Sequence, residues 1–242
     1  MLLFIEQLLN GLQLGIMLFL MSAGLTLVFG IMQVINLAHG SFYMIGAYVG
    51  ATVTARTGSF LLGVLAALPA AALTGMAAEA LVLRRLYKKD HLDQVLATFG
   101  LIMFFNEITR MVWGKQPLFM DVPGWLPPSV EILPGLSYPA YRLAVIAVGL
   151  AVALALWLLF AKTRAGMKIR AGASNREMVG ALGVNIKLLY TLVFSLGTML
   201  AGLAGVMAGP ILAVESGMGE SILILTFVVI VIGGIGSIRG AL

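Results

Sequence analysis

The stretch Gly24–Ala51, GLTLVFGIMQVINLAHGSFYMIGAYVGA, decides the fold. It is apolar enough to lie in a bilayer, yet its middle carries Gln33, Asn36, His39, Gly40 and Ser41. Polar side chains and freed backbone at membrane depth are tolerated only where they face protein or a water-lined cavity. The stretch is therefore either a strand of a soluble core or a membrane segment with a polar, broken centre, and the remaining chain has to separate the two.

Composition separates them. The 242 residues are 61% hydrophobic and 10% charged, with a mean hydropathy of +1.06, whereas soluble domains carry about 25% charged residues. Lipid is the implied solvent. The absence of cysteine excludes a disulfide framework, a thiolate metal site and a cysteine nucleophile. The net charge of +5 is spread over short loops between apolar runs, which suits membrane topology better than a phosphate footprint. The N-terminus, MLLFIEQLLN, has Glu6 where a secretory signal would have basic residues, so the first apolar segment is expected to stay attached.

Seven apolar segments are readable: Leu8–Phe29, Met32–Thr54, Phe60–Leu83, Gln94–Trp113, Pro139–Phe160, Leu188–Ile211 and Ile222–Ile238. Each has the length of a membrane-spanning helix, and none alternates with the period of two that a membrane strand requires. The pattern predicts an all-α polytopic membrane protein forming one domain over residues 1–242.

Loop charge orients the spans. One loop carries Arg84, Arg85, Lys88 and Lys89, and another carries Lys162, Arg164, Lys168, Arg170, Arg176 and Lys187. Together they hold ten of the chain's 15 lysines and arginines. The opposite side holds Arg56 and Lys115 beside Asp121, Glu131, Glu215 and Glu220. Positive residues stay inside, so both basic loops are cytoplasmic and the N-terminus is external. The external loop Gly114–Tyr138, rich in proline and aromatic residues, reads either as an interfacial anchor through Trp113 and Trp125 or as a docking surface for an external protein. The pairs Gly11/Gly15, Gly46/Gly50 and Gly205/Gly209 have the spacing of close helix packing in lipid.

The cytoplasmic loop 162–187 is the longest polar stretch. Within it Asn175 is placed to cap a short helix through Arg176, Glu177, Met178, Ala181 and Leu182, with Gly183 as its stop. Met178, Ala181 and Leu182 form one apolar ridge outside the membrane. Such a ridge needs a cover: the chain's own membrane domain, another protein, or anionic headgroups.

Three motifs carry a family resemblance. VFGIMQVINLAHGSFYMIGAYVG is similar to the start of the permease subunits of high-affinity branched-chain amino acid ABC transporters; TRAGMKIRAGASNREMVGALGVN resembles that family's cytoplasmic loop, and GGIGSIRGA its glycine-rich motif near the end. The resemblance covers essentially the whole chain. It implies an inner-membrane, multi-pass subunit that pairs with a second homologous permease, two cytoplasmic ATP-binding subunits and a periplasmic amino-acid-binding protein. It makes Asn175–Leu182 the coupling helix that presses on the ATPase. It also implies about eight spans, so a chain ending at Leu242 is expected to be truncated.

Against that background Asn36 and Ser41 are suited to bond a zwitterionic solute or cap a broken helix, and Gly40 lets the backbone unwind. A discontinuous second helix lining the translocation path through Gln33, Asn36, His39, Gly40 and Ser41 is the expectation. His39 reads equally as a solute contact or as one half of an interhelical hydrogen bond. Glu107 and Arg110 share one face of the fourth segment, as a structural ion pair or as part of the path. Glu79 is expected to be a counter-charge for Arg84 and Arg85. GGIGSIRG fails the dinucleotide pattern because its third glycine position is Arg239, and no phosphate-binding loop is present. The chain is expected to be no enzyme and to need no cofactor of its own, with ATP bound by the partner subunits. The leading reading is a permease for leucine, isoleucine and valine. Other amino acids, amides or urea in the same transporter class, a passive channel, and an intramembrane enzyme using His39 with Ser41 or Glu107 are the alternatives.

Overall fold

The first helix, α1, runs unbroken through Leu2–Met32, beginning six residues before the predicted Leu8. At about 1.5 Å per residue it exceeds a hydrocarbon core of about 30 Å. Its outer end is held by protein: Asn10 Oδ1 accepts hydrogen bonds from the Tyr138 hydroxyl at 3.0 Å and from the Arg142 guanidinium. The structure is a computed structural model that describes residues 2–87 and 89–234. The glycine-rich motif beyond Gly234, Arg239 included, and Lys88 lie outside the described residues.

The other helices are α2 (His39–Thr57), α3 (Phe60–Leu81), α4 (His91–Trp113), α5 (Ala140–Lys162), α6 (Arg164–Ser174), α7 (Arg176–Ala181), α8 (Ile186–Ala208) and α9 (Met218–Gly233). Helices α1, α2, α3, α4, α5, α8 and α9 correspond to the seven predicted segments. Five of them, α1, α3, α4, α5 and α8, are long and apolar enough to cross a membrane. The chain is an all-α polytopic membrane protein, with one addition. The external loop forms an antiparallel hairpin of β1 (Ser129–Leu133) and β2 (Leu136–Pro139), turned at Gly135 with φ +85°.

Helices α1, α2, α3 and α8 form the core. Tight backbone contact holds it: a Cβ on Gly46 would strike the Gly202 carbonyl, and one on Gly205 would strike the Tyr43 carbonyl. Lipid offers no hydrophobic drive between helices, so such close approach supplies the adhesion. Gly50 and Gly209 are likewise closed off by Val206 and Met120, whereas Gly11 and Gly15 face open space and serve no helix contact among the described residues. Trp113 turns inward from its expected place in the interface, stacking on Tyr48 and donating Nε1–H to Thr52 Oγ1 at 2.7 Å. Trp125 is exposed.

At the cytoplasmic end Glu79 is fully buried and salt-bridged to Arg84 at 2.8 Å. It also accepts hydrogen bonds from the Thr191 hydroxyl of α8 and from the Tyr87 phenol. Of the two expected arginine partners only Arg84 is bonded to it among the described residues. The network ties α3 to α8 through four polar side chains. Burial, then the Glu79 carboxylate, push the Tyr87 phenol far above its usual range, so it stays a proton donor.

Candidate functional site

After Met32 the backbone leaves the helix abruptly. Gln33 has φ +54°, the left-handed region that a non-glycine residue rarely enters. Residues 33–36 are non-helical and 37–38 form a turn, before α2 starts at His39. This corrects the expectation of a break within the second helix: the break lies between α1 and α2. Residues 33–38 can span at most about 20 Å, and they bring the start of α2 back alongside α1, next to Gly24. The neighbours of that start fix its depth. His39 lies against Gly24 of α1, which itself packs on Gly197 at the middle of α8.

A second helix starts at the same depth. Residues 209–217 descend from the external end of α8, where Leu118 and Val214 pair as an isolated bridge, to the Gly217 N–H, which donates to the Met44 sulfur at 3.4 Å. Helix α9 begins at Met218, and Gly219 meets Gly40 back to back. A Cβ on either residue would strike the other's carbonyl. Helix α9 has 16 residues. Its apolar side packs Leu223 and Ile230 against Leu25, with Leu37 of the ascending segment alongside.

The two helix starts and α4 enclose a crevice lined by Leu37, Gly40, Ser41, Met44, Ile102, Asn106, Gly219 and Glu220. At 10 Å³ it has room for about one water. Asn106 Nδ2 donates to Glu220 Oε1 at 2.6 Å, and the Ser216 hydroxyl donates to the Asn106 carbonyl at 3.3 Å. The first turns of α2 and α9 contribute backbone N–H groups with the positive end of each helix dipole, and Glu220 contributes a carboxylate. Such a set can hold the carboxylate and ammonium groups of a zwitterion, provided the crevice widens.

The predicted residues part into groups. Gly40 and Ser41 line the crevice. Asn36 and His39 are fully buried beside it. Asn36 Oδ1 accepts from the Ala38 N–H at 3.1 Å, leaving its Nδ2 without a partner. The Met21 backbone lies beside the His39 ring, yet neither imidazole nitrogen makes a well-directed hydrogen bond among the described residues. Gln33 is exposed and faces a separate cavity. Glu107 and Arg110 sit on the outer side of α4, 58% and 48% exposed and 3.9 Å apart. The structure does not bring them to the crevice. Asn106 and Glu220 take that place. The sequence signal for Asn106 was its position beside Glu107 in an apolar segment, whereas Glu220 read as a loop charge because α9 was expected to begin at Ile222.

The polar loop 162–187 is more helical than expected. Helix α6, capped by Thr163 Oγ1 accepting from the Gly166 N–H at 3.1 Å, precedes the short helix. Asn175 caps α7 by accepting the Met178 N–H at 2.9 Å, and Gly183 follows it with φ +84°. Val179 is buried, while Met178 and Leu182 stand 59% and 76% exposed, with Ala181 beside them. Behind this ridge Ser174, Asn175, Arg176 and Glu177 share a 230 Å³ cavity with Ile31 and Gln33. The start of α7 and the helix break are therefore neighbours.

Known proteins give this arrangement its setting. Residues 7–242 match the family model described as branched-chain amino acid transport system / permease component. The chain is 30% identical to the high-affinity branched-chain amino acid transport system permease protein BraD of Pseudomonas aeruginosa, over 99% of this chain and 82% of the relative. It is 29% identical, with the same coverage, to the permease protein LivH of Escherichia coli. The ribose import permease protein RbsC of Escherichia coli is 26% identical over 77% of this chain and 56% of its own length. No solved structure matches. The chain belongs to the family of permease components of branched-chain amino acid transport systems.

Proposed function

We propose that the chain is one permease of an ATP-driven importer in the inner membrane and that it carries leucine, isoleucine and valine inward. It works with a second homologous permease, two cytoplasmic ATP-binding subunits and a periplasmic amino-acid-binding protein. The observation that carries this reading is the meeting of α2 and α9 at Gly40 and Gly219, deep in a chain whose whole length matches amino acid permeases. A binding site for a small molecule is usually about 300 Å³ or more, so a crevice of 10 Å³ is a closed path. Opening requires α2, α4 and α9 to separate. The exposed Met178–Leu182 ridge is the handle through which the ATPase drives that separation. This chain binds no ATP itself and holds no cofactor.

The test is uptake by the complete transporter in proteoliposomes. ATP-dependent accumulation of leucine, competed by isoleucine and valine, is the expected result. Flux without ATP would replace the importer with a channel. The similarity to RbsC favours one second reading, a sugar as the solute. Competition of leucine uptake by excess ribose would support it, and full resistance to ribose would remove it.

A further inference from the structure

We infer that a groove between α1, α5 and α6 holds one anionic phospholipid, its phosphate on Arg170 and the top of an acyl chain in the cavity beside it. The inference needs only that the chain spans a membrane; it does not depend on the solute. The packing of α1 on α5 sets the depth. Near their starts Asn10 accepts from Arg142, and further along a Cβ on Gly149 would strike Ile16. The two helices therefore run the same way. The same offset brings Phe160, close to the end of α5, level with Leu27, close to the end of α1. At that level lies a cavity of 120 Å³. Leu27, Ile31, Phe160 and Ile169 give it apolar walls, and Arg170 of α6 stands among them. A site just within the end of two spans is where the interfacial region of a bilayer meets its hydrocarbon.

Two polar groups of this wall lack partners. Thr26 also lines the cavity, is 1% exposed, and its hydroxyl makes no hydrogen bond among the described residues. A helical threonine can return its hydroxyl to the carbonyl four residues back, as Thr52, Thr74, Thr98 and Thr226 do. Thr26 does not. Arg170 makes no salt bridge among the described residues. Charge names the occupant. Residues 162–175 carry Lys162, Arg164, Lys168 and Arg170 and no carboxylate. Such a cationic helix at the end of a span attracts anionic headgroups. A phosphodiester gives Arg170 an acceptor, an ester carbonyl gives Thr26 one, and acyl methylenes cover the apolar walls. An apolar helix laid over the groove would satisfy the walls alone.

The test uses the complete transporter with its full-length permease, in phosphatidylcholine nanodiscs doped with phosphatidylglycerol bearing a diazirine near the top of one acyl chain. After photolysis, adducts are mapped by mass spectrometry. They are expected on the peptides holding Thr26–Ile31 and Phe160–Arg170. The exposed Leu61, Leu65 and Leu73 of α3 report bulk lipid. Replacing part of the phosphatidylcholine with unlabelled phosphatidylglycerol, at constant probe, should lower groove adducts at least about tenfold and leave those on α3 unchanged. Arg170→Gln should lower groove adducts at least about tenfold through loss of a charge-assisted bond, again without change on α3. Thr26→Val, which keeps the side chain's shape, should lower them by a smaller factor. No groove adduct would mean that a further span or a partner subunit fills the groove, and would overturn the inference. Groove adducts that follow those on α3 under competition, or that survive Arg170→Gln undiminished, would overturn it as well. Photolysis needs no turnover, so the outcome is independent of which solute the chain carries.

Discussion

At the scale of single residues, the decisive feature is how little room the helix starts leave. Gly40 and Gly219 touch through their backbones, so Gly40→Ala forces α2 and α9 apart or blocks their approach. Overpacking of this kind costs about 1–3 kcal/mol. We expect leucine uptake to fall at least about tenfold at normal membrane expression; unchanged uptake would show that the two starts need not meet. Gln33 makes the opposite prediction. Its φ of +54° costs an ordinary residue about 1–2 kcal/mol, so Gln33→Gly should keep or slightly raise the melting temperature, and Gln33→Val should lower it. Glu79 is the anchor of a buried network of Arg84, Tyr87 and Thr191. Glu79→Leu should lower the melting temperature in detergent by about 5 °C or more, and Glu79→Gln by less, because an amide still accepts from Tyr87. Equal melting for both variants would show that the charge matters and the hydrogen bonds do not. The glycine and polar residue types were legible in the sequence, but Asn106 and Glu220 became site residues only once α4 and α9 were placed side by side.

At the scale of elements, the contrast is between α7 and the break before α2. Cap, length and stop of α7 followed from Asn175 and Gly183, since capping is local chemistry. The helix before it, α6, was not expected, because residues 162–174 were read only as part of a polar loop. Its glycines are used where Gly166 fits against the Leu159 carbonyl and Gly172 beside Leu189. Met178→Asp combined with Leu182→Asp should leave insertion intact, since both side chains are already exposed, and should lower ATP-driven uptake at least about tenfold by removing an apolar contact. Copurification of the ATP-binding subunits at the wild-type ratio, with uptake preserved, would remove the coupling role of the ridge. The cavity joining this region to Gln33 places the ridge within reach of the backbone that rises to α2.

At the scale of the whole molecule, a four-helix core of α1, α2, α3 and α8 carries a looser outer layer. Helix α4 packs lightly, with Phe105 reaching Phe42 at 5.6 Å between ring centroids, and leaves its Glu107–Arg110 side uncovered. A rigid core with a lightly held edge suits a chain whose path opens by moving that edge. Cysteine pairs across the two layers test this: a crosslink between Ser41→Cys and Asn106→Cys should abolish uptake while it is intact and restore it on reduction. Transport with the crosslink in place would show that the path does not open between α2 and α4.

The sequence by itself determined the solvent, the number of apolar helices and the family, because hydropathy and motif spacing are read along one chain. It also determined the cap and stop of α7. Only the tertiary structure decided that α2 and α9 start back to back, at Gly40 and Gly219. Only it showed that Asn106 and Glu220 rim the crevice between them, and that Asn36 and His39 are buried beside that crevice while Gln33 faces a separate cavity. The reason is physical: the depth at which a helix starts depends on which backbone it meets, and Gly40 meets Gly219 across nearly 180 residues of chain.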